Sequence, residues 1–253
     1  GLLVVNGRDE RCVRVAEQAT ARVETFGDSP DCAWQYTDLY ATNGHYSFNV
    51  WRAGQKLGRA TLGPAGLHNV WNALAACAVA DHCGVEWDDI RIGLAEFTGV
   101  GRRMTLRGEV GGLHVVDDYG HHPTEIRVTL DAIRERYSPR RLWCVFQPHQ
   151  YSRTLTMLSD FAGSFELADR VVVPDIYFVR DTESDRQAVS ASDLVERIRD
   201  RGGNAVHISG FDEIASFVAS EASPGDVVVT MGAGDIGKLA DVLLDRLRAN
   251  LSD

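Results

Sequence analysis

The chain has 253 residues, 44% apolar and 25% charged, so it can form one large or two modest globular domains. Its net charge of −10 argues against binding to nucleic acid, because the phosphate backbone requires basic patches. No apolar run approaches the roughly 20 residues of a membrane span, so we expect no membrane partner. Five cysteines without a CxxC pair, and no signal peptide, favour the reducing cytoplasm.

The first hundred residues have the pattern of part of an α/β domain. A strand, an amphipathic helix and a second strand are predicted over Leu2–Asn6, Asp9–Thr20 and Arg22–Phe26. Further strands and then helices are predicted over Ala33–Tyr40, Tyr46–Trp51, Leu57–Leu62, Leu67–Cys83 and Asp88–Phe97, with turns at Asn43-Gly44 and Ala53-Gly54. Because the chain opens directly on a buried strand, we expect that part of this domain precedes it. Thr98–Gly101 has the composition of a linker.

Strands and helices alternate from Met104 onward, which predicts a mostly parallel six-stranded sheet covered on both faces. Its strands are expected at Thr105–Val110, Leu113–Val116, Leu142–Phe146, Val171–Pro174, Ala205–Ile208 and Val227–Met231. Its helices are expected at Pro123–Tyr137, Leu155–Leu167, Ala191–Arg201, Asp212–Ser220 and Ile236–Arg248. A hairpin at Gly111-Gly112 opens the sheet, and a polar surface loop is expected over Arg180–Ser190.

The densest cluster of titratable side chains lies between the strand that ends at Val116 and the helix that Pro123 begins. It comprises Asp117, Asp118, Tyr119, His121 and His122. Ligands of α/β sheets bind at the carboxyl ends of strands, so this stretch is a candidate site. Alternatively, Asp117 or Asp118 caps a turn and the histidines are solvated.

A second cluster follows the strand that ends at Phe146. His149, Tyr151 and Arg153 precede a helix there, and they are suited to hold a carboxylate at the same sheet edge as His121. The alternative is a capped loop with polar surface residues.

Three further motifs each have a functional and a structural interpretation. His68 and Asn72 are four residues apart on one helix face, where an amide suits an adenine edge; the alternative is N-capping by Asn69. Arg102-Arg103 are either a phosphate clamp or a solvated pair. Gly232–Gly237 matches GxGxxG, but no strand follows and Asp235 would place a carboxylate where a pyrophosphate should bind, so we predict only a tight turn.

Taken together, these stretches resemble the Mur ligases over essentially the whole chain. The resembling motifs are HNxxN (His68–Asn72), FxGVxRR (Phe97–Arg103), DDYGHHPTE (Asp117–Glu125), QPHxYSRT (Gln147–Thr154), DIY (Asp175–Tyr177) and GAGDI (Gly232–Ile236). The resemblance implies that residues 1–102 are the C-terminal half of a central ATPase domain and that residues 103–253 are a Rossmann-like C-terminal domain. In the family, the phosphate loop and the magnesium ligands lie upstream; this sequence contains no GxxxxGK[ST] motif, and we assign no metal ligand within it.

The resemblance also implies a reaction. ATP would phosphorylate the lactyl carboxylate of UDP-N-acetylmuramate, and the amine of L-alanine would displace the phosphate, a step of peptidoglycan synthesis that serves cell-wall biogenesis, cell shape and division. Mg²⁺ would accompany the ATP. By position, adenine would be bound by His68 and Asn72, and the rest of the nucleotide by Arg103 and Asp118 (ribose). Tyr119, His121, His149 and Arg153 would line the alanine and acyl-phosphate site. Gln150 departs from the family's usual Arg, so we do not assign the corresponding anion contact to this chain.

Several other hypotheses stay open on the sequence alone. The family member that reattaches recycled tripeptide is one, although its motifs resemble Asp118–Gly120 and Gln147–His149 less closely. A metal-dependent hydrolase would use Asp117, Asp118, His121 and His122. A non-catalytic module that only binds nucleotide is a third. We expect this chain by itself to be catalytically incompetent.

Overall fold

The computed structural model describes residues 1–250 and divides into two compact units, Gly1–Gly99 and a second unit that starts at Val100. This division lies three residues before the expected boundary at 102/103, and the assignment of the two parts as domains stays a prediction. Among the described residues, no helix has the length and apolarity needed to cross a membrane.

The first unit is built on a mixed sheet with strand order β1-β2-β3-β4-β5. The three strands β1 to β3 are parallel, and β3 to β5 are antiparallel. Its elements are β1 (Leu2–Asn6), α1 (Glu10–Ala16), β2 (Arg22–Gly27), β3 (Trp34–Thr42), β4 (His45–Arg52), β5 (Gln55–Thr61), α2 (Leu67–His82) and α3 (Trp87–Glu96). Helix α1 ends four residues earlier than predicted; Ala16 is its only buried residue, so a longer helix would gain little from packing.

The second unit contains a six-stranded sheet with order β10-β9-β8-β11-β7-β6. Every neighbouring pair is parallel except β6 with β7, which confirms the expected mostly parallel sheet. Its elements are β6 (Thr105–Val110), β7 (Leu113–Asp118), α4 (Pro123–Tyr137), β8 (Leu142–Phe146), α5 (Tyr151–Thr156), α6 (Leu158–Ala162), β9 (Arg170–Val173), α7 (Glu183–Ala188), α8 (Ala191–Asp200), β10 (Ala205–His207), α9 (Phe211–Glu221), β11 (Val227–Met231) and α10 (Gly237–Asn250).

Helices cover both faces of this sheet, as expected. The central strand β8 is fully buried, and its alternate residues point to two separate apolar cores. Phe146 packs in the core that includes Ile126 of α4, whereas Trp143 packs in the core that includes Leu243 of α10. The hairpin between β6 and β7 turns at Gly111-Gly112, both at positive φ, the conformation for which glycine is suited.

The prediction of a single helix over Leu155–Leu167 is wrong. Two short helices, α5 and α6, occupy the region and meet at Met157, whose φ of −113° and ψ of 20° are not helical. The hydroxyls of Thr154 and Thr156 each donate to the carbonyl four residues back, at 2.8 Å. Such hydrogen bonds bend a helix, which accounts for the break.

The polar loop predicted over Arg180–Ser190 is also wrong, because it contains helix α7. Thr182 and Asp185 form a capping box in which the Asp185 carboxylate accepts the Thr182 N–H and the Thr182 hydroxyl accepts the Asp185 N–H. The helix buries none of its residues, so the sequence has no apolar periodicity from which the helix could be predicted. The Thr-x-x-Asp spacing was the signal that could have found it.

Candidate functional site

Strand β7 runs two residues further than predicted, so Asp117 and Asp118 are strand residues that point to opposite faces. The fully buried Asp117 accepts hydrogen bonds from Arg102 Nε at 3.0 Å and from the Thr230 hydroxyl at 2.8 Å. Asp118 is 2% exposed and accepts the Met104 and Gly120 N–H groups at 2.8 and 2.7 Å. Both carboxylates are therefore engaged inside the protein. Burial raises the pKa of Asp118 above its usual value, although these two N–H bonds oppose the shift.

The two adjacent arginines are used differently. Arg102 donates to the carbonyls of Gly232 and Gly234, at 2.8 and 3.2 Å, besides its bond to Asp117. It thereby fastens the tight turn after β11, and because all three of its guanidinium nitrogens have partners in the protein, Arg102 is less suited than Arg103 to bind a phosphate. Arg103 is half exposed and makes one long ion pair with Glu125, at 3.5 Å, so its guanidinium can still take an anion.

His121 is held by groups close to it in sequence. The ring nitrogen Nδ1 lies 3.0 Å from the Tyr119 carbonyl oxygen and 3.4 Å from Glu125 Oε2. The backbone N–H of His121 donates to the same Glu125 oxygen at 2.9 Å. Burial would raise the pKa of Glu125, but the His121 N–H and the charges of His121 and Arg103 keep it below the usual value. Because Nδ1 faces two acceptors, the neutral form of the ring has its proton on Nδ1 and its lone pair on Nε2.

His149 stands at the end of β8 and is held by a distant segment. Its ring stacks on Tyr177 with 5.6 Å between centroids and 13° between planes. Its Nδ1 is buried and has no hydrogen-bond partner within residues 1–250. Burial, with help from the charges of Arg153 and His121, lowers the pKa of His149, which keeps the ring neutral near pH 7. Arg153 lies one helical turn later, with Nη1 3.5 Å from the His149 carbonyl oxygen.

The two histidines come together although their strands are not neighbours. Strand β11 lies between β7 and β8. The Gly232 N–H donates to the Asp118 carbonyl at 3.1 Å and the Gln147 N–H donates to the Met231 carbonyl at 2.9 Å, so the end of β11 joins both sides. The ring centroids of His121 and His149 are 6.1 Å apart, and Tyr119 lies 5.4 Å from His121. This row of rings at the carboxyl edge of the sheet is the candidate site.

Sequence reasoning missed the residues that support this row. Tyr177 is visible in the sequence only as part of a motif, and no pattern indicates Asp181. Asp181 accepts the Tyr151 and Ser152 N–H groups, at 2.8 and 3.2 Å, and so caps helix α5. Burial would raise the pKa of Asp181, but these hydrogen bonds and that from the Ser152 hydroxyl hold it below the usual value. No spacing rule joins residues about 30 positions apart in an irregular segment.

In the first unit, His68 and Asn72 both lie on helix α2, one turn apart, as predicted. Asn69 does not cap that helix: Gly66 is the N-cap, and Asn69 Nδ2 donates to the Ala65 carbonyl at 2.6 Å. The N-capping alternative is therefore wrong. Asn72 Nδ2 lies 3.3 Å from Asn69 Oδ1.

A contact that the sequence had not indicated lies near the same helix. The Arg8 guanidinium lies 4.6 Å from the centre of the Trp71 ring, beside a cavity of about 520 Å³ that Asn6 also lines.

The acidic and imidazole groups do not converge as metal ligands. Asp117 and Asp118 point to opposite faces of β7, and His122 turns away to accept the Thr124 N–H at 3.2 Å as the N-cap of α4. Across residues 1–250, no three His, Cys, Asp or Glu side chains are grouped so that they could hold a metal ion. The geometry therefore gives the hydrolase hypothesis no support.

Fold and site together define an α/β protein with an imidazole pair at the carboxyl edge of a parallel sheet, a place where such folds bind small polar ligands. Residues 102–234 match the model of the Mur ligase glutamate ligase domain, and residues 1–80 match that of the Mur ligase middle domain. The chain belongs to the Mur ligase family, which confirms the resemblance drawn from its motifs.

Individual relatives agree with this assignment. The UDP-N-acetylmuramate–L-alanine ligase of Clostridium novyi is 40% identical over 245 residues, which cover 97% of this chain and 53% of that protein. The ligase of the same name from Caldanaerobacter subterraneus is 39% identical over 246 residues, with the same two coverages. The chain thus spans about half the length of the curated relatives it matches.

Solved structures give the same picture. The UDP-N-acetylmuramate-alanine ligase of Thermotoga maritima superposes with a TM-score of 0.76 at 26% identity, over 98% of this chain and 52% of that chain. A murein peptide ligase of Psychrobacter arcticus superposes with a TM-score of 0.70 at 27% identity, over 98% of this chain and 51% of that chain. The expected α/β architecture is confirmed.

Proposed function

We propose that this chain is part of an ATP-dependent ligase that joins L-alanine to the lactyl carboxylate of UDP-N-acetylmuramate through an acyl phosphate, in peptidoglycan synthesis. The observation that carries the proposal is the convergence of His121 and His149, 6.1 Å apart, with Arg153 one helical turn from His149. The names and identities of the relatives supply the substrates. The enzyme would work in the cytoplasm, where ATP and UDP-sugars are found and where the cysteines, all free within residues 1–250, stay reduced.

The amino-acid site is assigned to the row of rings. The Arg153 guanidinium suits the alanine carboxylate because it offers two parallel N–H donors. Tyr119, His121 and His149 would close the pocket around the amine and the acyl phosphate. Amide formation from an acyl phosphate needs mainly correct positioning of the amine and neutralisation of charge, which these groups can supply.

The residues assigned to bind the nucleotide differ in how well their surroundings suit that role. Arg103 suits a phosphate or ribose oxygen because it is half exposed and only loosely paired. His68 and Asn72 share a helix face, as adenine contacts would require. Asp118 fits ribose less well, because both of its oxygens already accept backbone N–H groups at 2% exposure. No acidic residues within residues 1–250 are grouped so that they could hold Mg²⁺, and we assign it no residue and no step.

A second candidate is the murein peptide ligase activity named for the Psychrobacter arcticus structure. The two activities differ in the amine or peptide that is joined. Phosphate release by the full-length gene product, with L-alanine or with peptide as the second substrate, separates them.

We predict that this chain alone shows no ligase activity at any ATP concentration. It contains no GxxxxGK[ST] motif, so the β- and γ-phosphates would lack their cradle of N–H groups and lysine. The test compares phosphate release by the chain and by the full-length gene product, with alanine and UDP-N-acetylmuramate each omitted in turn. Release by the chain that depends on both substrates would contradict this prediction. A full-length product that is indifferent to alanine would overturn the proposed function.

A further inference from the structure

The two imidazoles of the site have opposite surroundings at Nδ1. His121 Nδ1 faces the Tyr119 carbonyl and the Glu125 carboxylate, both acceptors, at 3.0 and 3.4 Å. His149 Nδ1 is buried with no partner within residues 1–250. A buried N–H without an acceptor is rarer in proteins than an unpaired acceptor. The neutral His149 ring therefore carries its proton on Nε2 and leaves only a lone pair at Nδ1.

Tyr177 is what holds His149 in this arrangement. Its ring lies nearly parallel to the imidazole, with 13° between the planes. Its backbone bonds to both neighbours of His149: the Tyr177 N–H donates to the Pro148 carbonyl at 2.9 Å, and the Gln150 N–H donates to the Tyr177 carbonyl at 3.3 Å. Buried Ile176 anchors the segment.

We propose that the two histidines present opposite tautomers to one ligand, an α-amino acid in its zwitterionic form, and that Tyr177 is the positioning residue that imposes this on His149. His121 Nε2 accepts a hydrogen bond from the ammonium group. His149 Nε2–H donates to the carboxylate, beside Arg153. This inference rests on the proposed function for the identity of the ligand, but the tautomers themselves follow from the protein alone.

The charges around His149 agree with a neutral ring. Burial lowers the pKa of His149, the charge of Arg153 adds to this shift, and the charge of Asp181 opposes it. The neutral His149 ring is thus suited to donate a hydrogen bond from Nε2 near pH 7.

The first test is ¹⁵N NMR of the 253-residue chain labelled at histidine. In the neutral form of each ring, we expect the proton on Nε2 of His149 and on Nδ1 of His121. His114, which lies at the start of β7 with Nε2 3.4 Å from Glu109, serves as an internal reference that should not change between variants. A proton on Nδ1 of His149 would overturn the proposal without any mutation.

Variants of Tyr177 test the positioning role in the same experiment. Tyr177→Phe keeps the stack and should keep the single His149 tautomer, whereas Tyr177→Leu should populate both tautomers. An unchanged His149 spectrum in a folded Tyr177→Leu protein would refute the role. If that variant does not fold, a Tyr177→Phe protein with mixed His149 tautomers refutes it instead.

The last test uses the full-length enzyme. Glutamine retains an Nε2 donor, so His149→Gln should raise the KM for alanine less than His149→Ala, for which we expect a rise of about 10-fold or more. Equal impairment of the two variants would overturn the donor role. If the enzyme does not use alanine at all, the proposed function fails, while the tautomers measured by NMR stand or fall separately.

Discussion

The two strand ends that meet at the site are built in different ways. At the end of β7, the His121 ring and its backbone N–H are held by Tyr119 and Glu125, two and four residues away. At the end of β8, His149 is fixed by Tyr177, 28 positions later, and helix α5 is capped by Asp181, 30 positions after Tyr151. The first imidazole is therefore held within a local turn, whereas the second depends on a long-range contact.

This difference separates residues that hold the fold together from residues that are free to bind substrate. Asp117 and Asp118 at the first end are the most conspicuous titratable residues of the sequence. Their carboxylates mainly accept hydrogen bonds that hold strands and turns together. At the second end, Nδ1 of His149 is buried without a hydrogen-bond partner within residues 1–250. Variants of Arg102 and the two aspartates at the first end should therefore act mainly on stability, and variants of His149 and Arg153 at the second end mainly on substrate use.

The largest expected effect is that of Arg102→Ala. It leaves Asp117 buried without its charge partner and frees two carbonyls of the turn after β11, so the free energy of unfolding should fall by roughly 3–5 kcal/mol. Arg103→Ala is the matched control and should cost under about 1 kcal/mol, since its ion pair is half exposed. Urea denaturation of both variants measures this.

For ATP affinity in the full-length enzyme the order should reverse. Arg103→Ala should cost roughly 1.5–3 kcal/mol of ATP binding, as expected for loss of a hydrogen bond to a charged group, and Arg102→Ala should cost less wherever it is folded. Small and equal effects of the two substitutions on both stability and ATP affinity would mean that Arg102 does not fasten the turn and that Arg103 does not bind the nucleotide.

The next effects concern substrate use at the end of β8 and at its partner His121. Arg153→Lys keeps the charge but loses the two parallel donors, so the full-length enzyme should lose about 10-fold or more in kcat/KM for alanine. His121→Ala should lower turnover and leave the KM for ATP nearly unchanged, because the adenine contacts are assigned to helix α2. Kinetics with alanine and ATP varied separately decide this. Wild-type behaviour of Arg153→Lys, or a change in ATP use alone in His121→Ala, would remove the site assignment.

The smallest expected effect is on the pH dependence of stability. It concerns Asp118 and Asp181, two carboxylates that each accept backbone N–H groups. Asp181→Asn should cost about 1 kcal/mol at pH 7, as for loss of a helix cap. The pKa of Asp181 is lowered in the folded state, so its contribution is complete above about pH 4 and is lost as the pH falls through the folded pKa. The wild type should therefore approach Asp181→Asn in stability at low pH.

Asp118 should behave in the opposite way. Its pKa is raised on folding, so the stability linked to its protonation is present below about pH 4 and is lost as the pH rises through the folded pKa. The free energy of unfolding of the wild type should thus rise relative to that of Asp118→Asn as the pH falls. Unfolding curves of the wild type, Asp118→Asn and Asp181→Asn from about pH 3 to 7 give the change of each stability difference with pH. If the two differences changed with pH in the same direction, the opposite pKa shifts of Asp118 and Asp181 would be contradicted.

The sequence by itself determined most of the architecture and the position of the site. Alternation and apolar runs located the strands of both sheets to within about two residues, because these are properties of neighbouring positions. Pro123 at the first helical position of α4 and the paired glycines of the β6–β7 hairpin are equally local signals. The motifs also predicted that His121 and His149 would share a sheet edge.

Only the tertiary structure decided how those residues are used. Which carboxylates are internal depended on β7 continuing to Asp118 and on Arg102 reaching the turn after β11, 130 positions away. The placement of β11 between β7 and β8, and the stacking of Tyr177 on His149, likewise join segments far apart in the chain. The physical reason is that local pattern reports the conformation of neighbouring residues, whereas burial and the partners of a polar group are set by packing between elements that the pattern does not connect.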